Sequence, residues 1–264
     1  MTGDWRARLN HYLKGKFRVV IPLDREPALR GVGAFAPPDA LREEIEDHRA
    51  ILRKRGSPNE TQALYVGEID LAAAPEALEF QTIEYAAVRA IRARGKLATI
   101  MSVSSLPVCA ERRMLFMHAR AADSDLEPSR IHTFSGSFVP EDGGGLTDAV
   151  LRELEEESGL AITDITGARP CLFHDLVWGA FEFTLLGVPI TGAEADLIRP
   201  TEEGEAVPIP FGDLERQLVE RRNDWAAGGR MEVLAWLALG APPLPPGPHF
   251  GGKTAMELFD TVLR

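Results

Sequence analysis

Between Arg130 and Leu160 the chain passes from RIHTFSGSFV, a β-patterned run ending in small residues, through the Gly-rich turn EDGGG into LTDAVLRELEEES, which repeats at helical spacing and stops at Gly159. A strand, a glycine turn and an amphipathic helix thus follow one another in that order. At about 100° per residue, Leu146, Val150 and Leu154 make one apolar stripe. Thr147 and Asp148 are capping types that mark the start, and Gly159 suits the left-handed residue after the last turn. Glu153, Glu156 and Glu157 then share one flank, at the edge of the stripe rather than opposite it. Like charges at these spacings cost a helix roughly 0.2–0.5 kcal/mol per pair. An acidic run is usually a solvated face, but carboxylates crowded beside a buried stripe suit a hard cation such as Mg²⁺ or Mn²⁺. Arg152 is placed to orient one of them through a bidentate pair.

The remaining pattern predicts a chain of α/β class. FRVVIPL (17–23) reads as a buried strand, 39–56 as a helix stopped by Gly56, 63–71 as a strand and 75–95 as a helix ending at Gly95. These make residues 1–95 an N-terminal α/β region. From Lys96 the texture becomes apolar and β-rich. Residues 96–120 read as a hairpin, 161–169, 171–177 and 180–190 as further strands, and 212–227 and 231–239 as helices. This stretch, 96–240, is expected to be the main domain. APPLPPGP (241–248) reads as a stiff linker before a terminal helix at 253–263.

Composition limits the partners. The net charge of −11 disfavours non-specific binding to nucleic acid or anionic membranes. The 2 cysteines, Cys109 and Cys171, form no CxxC pair, so neither a disulfide framework nor a zinc site is expected, and a reducing cytoplasm fits best. No apolar run is long enough for a signal core or a membrane span.

RELEEESGL (152–160) resembles the second half of the Nudix box, R-E-apolar-x-E-E-x-G-apolar, at every defined position. FSGSFV (134–139) is similar to the strand end F-P-G-G-x-V of that family, with Gly136 at the first glycine. Two positions depart: Ser137 replaces the second glycine, and the upstream Glu falls on Gly144, with Glu141 and Asp142 nearby as candidate substitutes. The resemblance spans about residues 96–240. It implies an α/β/α sandwich around a mixed sheet, with the smaller N-terminal region outside it. It further implies metal-dependent hydrolysis of a diphosphate linkage in a nucleoside diphosphate joined to another group, such as a UDP-sugar or ADP-ribose. Glu153, Glu156 and Glu157, with the Gly136 carbonyl, would hold Mg²⁺ or Mn²⁺. Glu153, Glu156 and Arg152 would carry the chemistry, and Arg120 and Ser137 would meet substrate phosphate. A homodimer is compatible with it. A non-catalytic nucleotide sensor and an isomerase acting on isopentenyl diphosphate share the expected fold. Neither cysteine sits in a context that suits the isomerase.

Outside the box, Glu182 reads as an outward strand residue, with metal ligand or base as the alternative. Glu202, Glu203 and Glu205 lie in a polar loop where the family sometimes keeps a mobile base. Trp178 reads as a half-buried core residue, with base stacking as the alternative. His118, His132 and His174 read as structural.

Overall fold

The computed structural model describes residues 5–13, 15, 17–68, 73–122, 127–140 and 143–264. Glu141 and Asp142, the candidate substitutes for the upstream glutamate, lie outside the described residues, as does part of the strand expected at 63–71. In chain order come α1 (Trp5–Tyr12), β1 (Phe17–Pro22), β2 (Ala28–Ala34), α2 (Arg42–Arg55), β3 (Thr61–Tyr65), β4 (Ala77–Glu84) and α3 (Tyr85–Ala93). They are followed by β5 (Ile100–Cys109), β6 (Met114–Arg120), β7 (Ile131–His132), β8 (Phe134–Ser137), α4 (Leu146–Ser158), β9 (Arg169–Asp175) and β10 (Ala180–Pro189). The short α5 (Gly192–Ala195), β11 (Gly204–Pro210), α6 (Leu214–Val219), α7 (Ala227–Ala238) and α8 (Ala255–Val262) complete the chain. No helix among the described residues is long and apolar enough to cross a membrane.

The strands form one mixed, curled sheet whose main path runs β1-β9-β10-β5-β3-β4-β2, with β6, β7, β8 and β11 branching from it. The hub is β5. It runs parallel to β10 and antiparallel to β3, β6 and β8. The sheet continues through residue 95 without a break: β3 joins β5 at Leu64↔Ile100, and β1 joins β9. Residues before 96 therefore extend the main sheet, and they add a core of their own in which Ile45, Leu52, Ile83, Val88 and Ile91 pack together.

Helix α4 covers one face of the hub. Leu146, Val150 and Leu154 are fully buried against Val103, Phe134 and Phe183. Burying each such side chain contributes about 1.5–3 kcal/mol. Leu154→Ala is expected to destabilise the fold by about 2–5 kcal/mol, the cost of lost transfer energy plus a cavity, read from urea unfolding. A loss below about 1 kcal/mol would contradict this packing.

Several elements differ from the pattern expected. The helix expected over 75–95 is β4 followed by α3: Leu78 and Phe80 alternate inward as in a strand, and the helical burial of Ala86, Val88, Ala90 and Ile91 begins only after Glu84. Residues 161–168 are not a strand; β9 starts at Arg169. The helix expected over 212–227 ends at Val219, because Trp225 turns extended, is buried and bridges Ile131. The 241–248 segment packs rather than spans: Ala241 and Leu244 are buried, and the Trp236 indole N–H donates to the Pro242 carbonyl at 2.6 Å.

Candidate active site

Strand β8 brings small residues to the hub, pairing Gly136 with Val103 and Ser137 with Ser102. Helix α4 crosses behind it. Its N-terminus is not capped by Thr147 or Asp148 accepting from within the helix, as expected. Asp148 accepts from the Gly145 N–H at 2.9 Å, and the Glu26 carboxylate, from the loop after β1, accepts from Leu146 N–H at 2.5 Å and Thr147 N–H at 3.1 Å. An anion on the free amides of a first turn is favourable both as hydrogen bonding and against the helix dipole. The C-terminus behaves as expected: Gly159 is left-handed, with φ 73.

The three glutamates of α4 are not equivalent. Glu153 and Glu157 are buried, at 7% and 2% exposure, whereas Glu156 is exposed. Glu157 fastens the helix to the sheet: it accepts from the Ser135 N–H at 2.7 Å and pairs with His118 Nδ1 at 3.2 Å. Glu153 lies against the backbone of Gly136 so closely that a Cβ there would fall 2.0 Å from its Oε2. Burial pushes the Glu153 carboxyl up to about 8; Arg152 opposes this, and Glu157, Glu156 and Glu203 add to it. Arg152 pairs with Glu153 at 2.9 Å and with Glu156 at 2.9 Å, so it supplies the cluster's local positive charge.

As placed, no three His, Cys, Asp or Glu side chains among the described residues form a group able to hold a metal ion. The physical reason is visible in the pairs above. Arg152 draws Glu153 and Glu156 to itself, while Glu157 turns to Ser135 and His118. The donor chemistry still fits a hard divalent cation: carboxylates are crowded together, and one is pushed up by burial and by its like-charged neighbours.

Glu203 joins this cluster from the turn before β11. Burial first, then the charges of Glu157 and Glu156, raise its pKa. Glu205 instead sits on β11 opposite Ala119. Arg120 ends β6 and donates to Ser135 Oγ at 3.2 Å. Ser137 accepts from Gln62 Nε2 at 3.0 Å, so β3 of the N-terminal region holds the altered position of the motif. Gln62 and Glu26 were invisible in the sequence, because each acts across a long chain separation with no local signature.

A cleft of about 330 Å³ opens beside Gly136, on the sheet face away from α4. Arg120, Gly136 and Ser137 line it together with Tyr85 and Arg92 of α3. Glu182 does not face outward as expected. It is 6% exposed and lines this cleft, because Phe181 and Phe183 take the α4 side of β10. Trp178 is not a core residue; it is 37% exposed and lines the same cleft. His118 is buried and stacks on Phe134, and His132, which lines the cleft, is pushed down to about 3 by burial.

Beneath the cleft, Glu232 of α7 accepts from Ser104 Oγ at 2.6 Å and Thr184 Oγ1 at 2.8 Å, and also from Thr133 Oγ1. Burial raises the pKa of both Glu232 and Glu182. A carboxyl whose folded pKa is raised stabilises fully below its unfolded pKa, and that stabilisation is lost as pH rises through the folded value. Glu232→Gln cannot ionise. It is expected to melt above wild type near about pH 8, with the difference closing toward about pH 4 in calorimetry. A difference constant across that range would contradict the raised pKa.

No family profile matches the chain, and no curated protein matches it in sequence. Among solved structures it is similar to a bifunctional NMN adenylyltransferase/ADP ribose pyrophosphatase from Francisella tularensis, at 14% identity and TM-score 0.40 over 52% of this chain. The match covers 40% of that protein, so the chain spans less than half of its length. It is similar to a MutT protein from Methanosarcina mazei, at 17% identity and TM-score 0.37, over 50% of this chain and 88% of that one. A NUDIX hydrolase from Nitrosomonas europaea is similar at 16% identity and TM-score 0.34, over 49% of this chain and 90% of its own.

Proposed function

We propose that the protein hydrolyses the diphosphate linkage of a nucleoside diphosphate joined to another group, using a divalent cation held by Glu153, Glu156 and Glu157 with the Gly136 carbonyl. The observation that carries this reading is Glu153: a carboxylate buried against a glycine backbone and crowded by like charges, on a helix whose sequence matches the second half of the Nudix box. Bound there, Mg²⁺ or Mn²⁺ supplies Lewis-acid stabilisation of phosphate charge and makes water a better nucleophile.

The chain's own groups take the other roles. Arg152 pairs with both Glu153 and Glu156 and would release them to a bound cation. Arg120 and Ser137, which line the cleft with Gly136, would meet substrate phosphate. Glu203, raised by burial and by Glu157 and Glu156, is placed to accept a proton from the attacking water. The cleft beyond Ser137 takes the group on the far side of the diphosphate. The N-terminal region supplies part of that cleft through Gln62, Tyr85 and Arg92.

A second reading, a non-catalytic domain that senses a nucleotide, is favoured by the neutralisation of Glu153 and Glu156 by Arg152 and by Ser137 and Gly144 in the motif. One assay separates the two. The protein is incubated with Mg²⁺ or Mn²⁺ and a panel of UDP-sugars, ADP-ribose, NADH, CoA and diadenosine polyphosphates, and released phosphomonoester is measured. Metal-dependent turnover of one member supports the hydrolase. Binding of a member without turnover supports the sensor.

A further inference from the structure

We infer that the groove between α1, α7 and the 127–130 segment is a second binding site, for a small anion carrying several phosphate charges. The groove measures about 1070 Å³, ample for a nucleotide-sized ligand. Its cationic lining is Arg8, His11, Arg130, Arg222 and Arg230, and among the described residues Glu127 is the one acid that lines it with them. That is a local reversal in a chain whose net charge is −11.

The cations differ in how far they are already engaged. Arg8 pairs with Asp260 at 2.7 Å and lies over the Phe259 ring. Arg230 stands over the Tyr12 ring and donates to its hydroxyl. Arg130 and Arg222 are exposed and have no side-chain ion pair among the described residues. Arg222 also acts against the charge of half-buried Arg230. Two like charges facing one groove repel, and an anion between them relieves that repulsion. Guanidinium forks pair with carboxylate and phosphate oxygens alike, and several of them around one groove match an anion that carries several charges.

An independent observation also calls for a ligand. Trp225 lines the groove at 4% exposure, and its Nε1–H has no acceptor among the described residues; the Arg230 Nε–H is likewise buried without one among them. Buried donors are nearly always satisfied. A phosphate oxygen would supply the acceptor that the described residues do not. The groove is distinct from the carboxylate cluster but adjoins the cleft, since Glu127 lines both.

The test is titration calorimetry with sodium tripolyphosphate in EDTA, which removes cation-mediated binding at the glutamates and needs no turnover. It therefore reads independently of the proposed hydrolysis. The expected result is one saturable site, weakened by added salt and weakened about tenfold or more in the Arg130→Gln/Arg222→Gln variant. Arg120→Gln, at the cleft, is expected to leave the affinity within about twofold. Equal thermal unfolding of both variants and wild type shows that the fold is intact. Absence of binding, or unchanged binding in the double variant, would overturn the inference. So would loss of binding in Arg120→Gln, which would place the anion in the cleft.

Discussion

Gly136→Ala is expected to leave the protein folded while lowering turnover of a diphosphate substrate by about 10²-fold or more. The added methyl carbon would sit 2.0 Å from Glu153 Oε2 and 2.2 Å from its Cδ. Both cannot stay where they are. What gives way is the far end of a flexible side chain, so the stability cost is small, about 1 kcal/mol or less. The consequence for chemistry is large, because the displaced atoms belong to the carboxylate proposed to hold the cation. A displacement of about 1 Å suffices for a loss of this size. Parallel measurement of melting temperature and turnover separates the two effects. Activity near wild type would show that Glu153 need not lie against this backbone. A large drop in melting temperature would assign the glycine to folding instead.

The part of this site that lies within one helix was legible in the sequence. Leu146, Val150 and Leu154 repeat at the helical period, Gly159 stops the helix in the left-handed conformation, and the side chains between them fall where geometry puts them. The spacing put the three glutamates together at the stripe's edge. What the pattern could not show is which of them solvent reaches. Glu153 and Glu157 are covered because β8 crosses with Gly136 and Ser135 beside them, a tertiary event. The same limit hid Glu26 at the helix start and Gln62 at Ser137, each a contact between distant parts of the chain.

Elsewhere the period itself was ambiguous or silent. Leu78 and Phe80 fit a strand or a helix, and the segment resolves only because β4 pairs with β3 and β2. Strand β2 is exposed along most of its length and carries no apolar alternation. Glu182 read as outward because charge normally marks the wet face. In β10, however, β5 and β9 flank the strand and elements cover both of its faces, so eight consecutive residues from Phe181 to Val188 are buried, Glu182 among them. The change of texture at Lys96 marks the entry into β5, the most covered strand of the sheet, and the strands before it continue that sheet.

The central claim is that the carboxylates of α4 serve phosphate chemistry rather than merely ending a salt bridge. Glu156 tests it best. It is exposed, carries no packing role and contacts Arg152 through one oxygen at 2.9 Å, so Glu156→Gln keeps shape and hydrogen bonding while removing one charge. The fold is therefore expected to be unaffected, within about 0.5 kcal/mol. The decisive measurement is the turnover of wild type and Glu156→Gln on the same diphosphate substrate at saturating Mg²⁺. The site proposed here predicts a loss of about 10²-fold or more, on the scale of removing a group that stabilises developing charge. Full activity in the variant, with the fold intact, would contradict it.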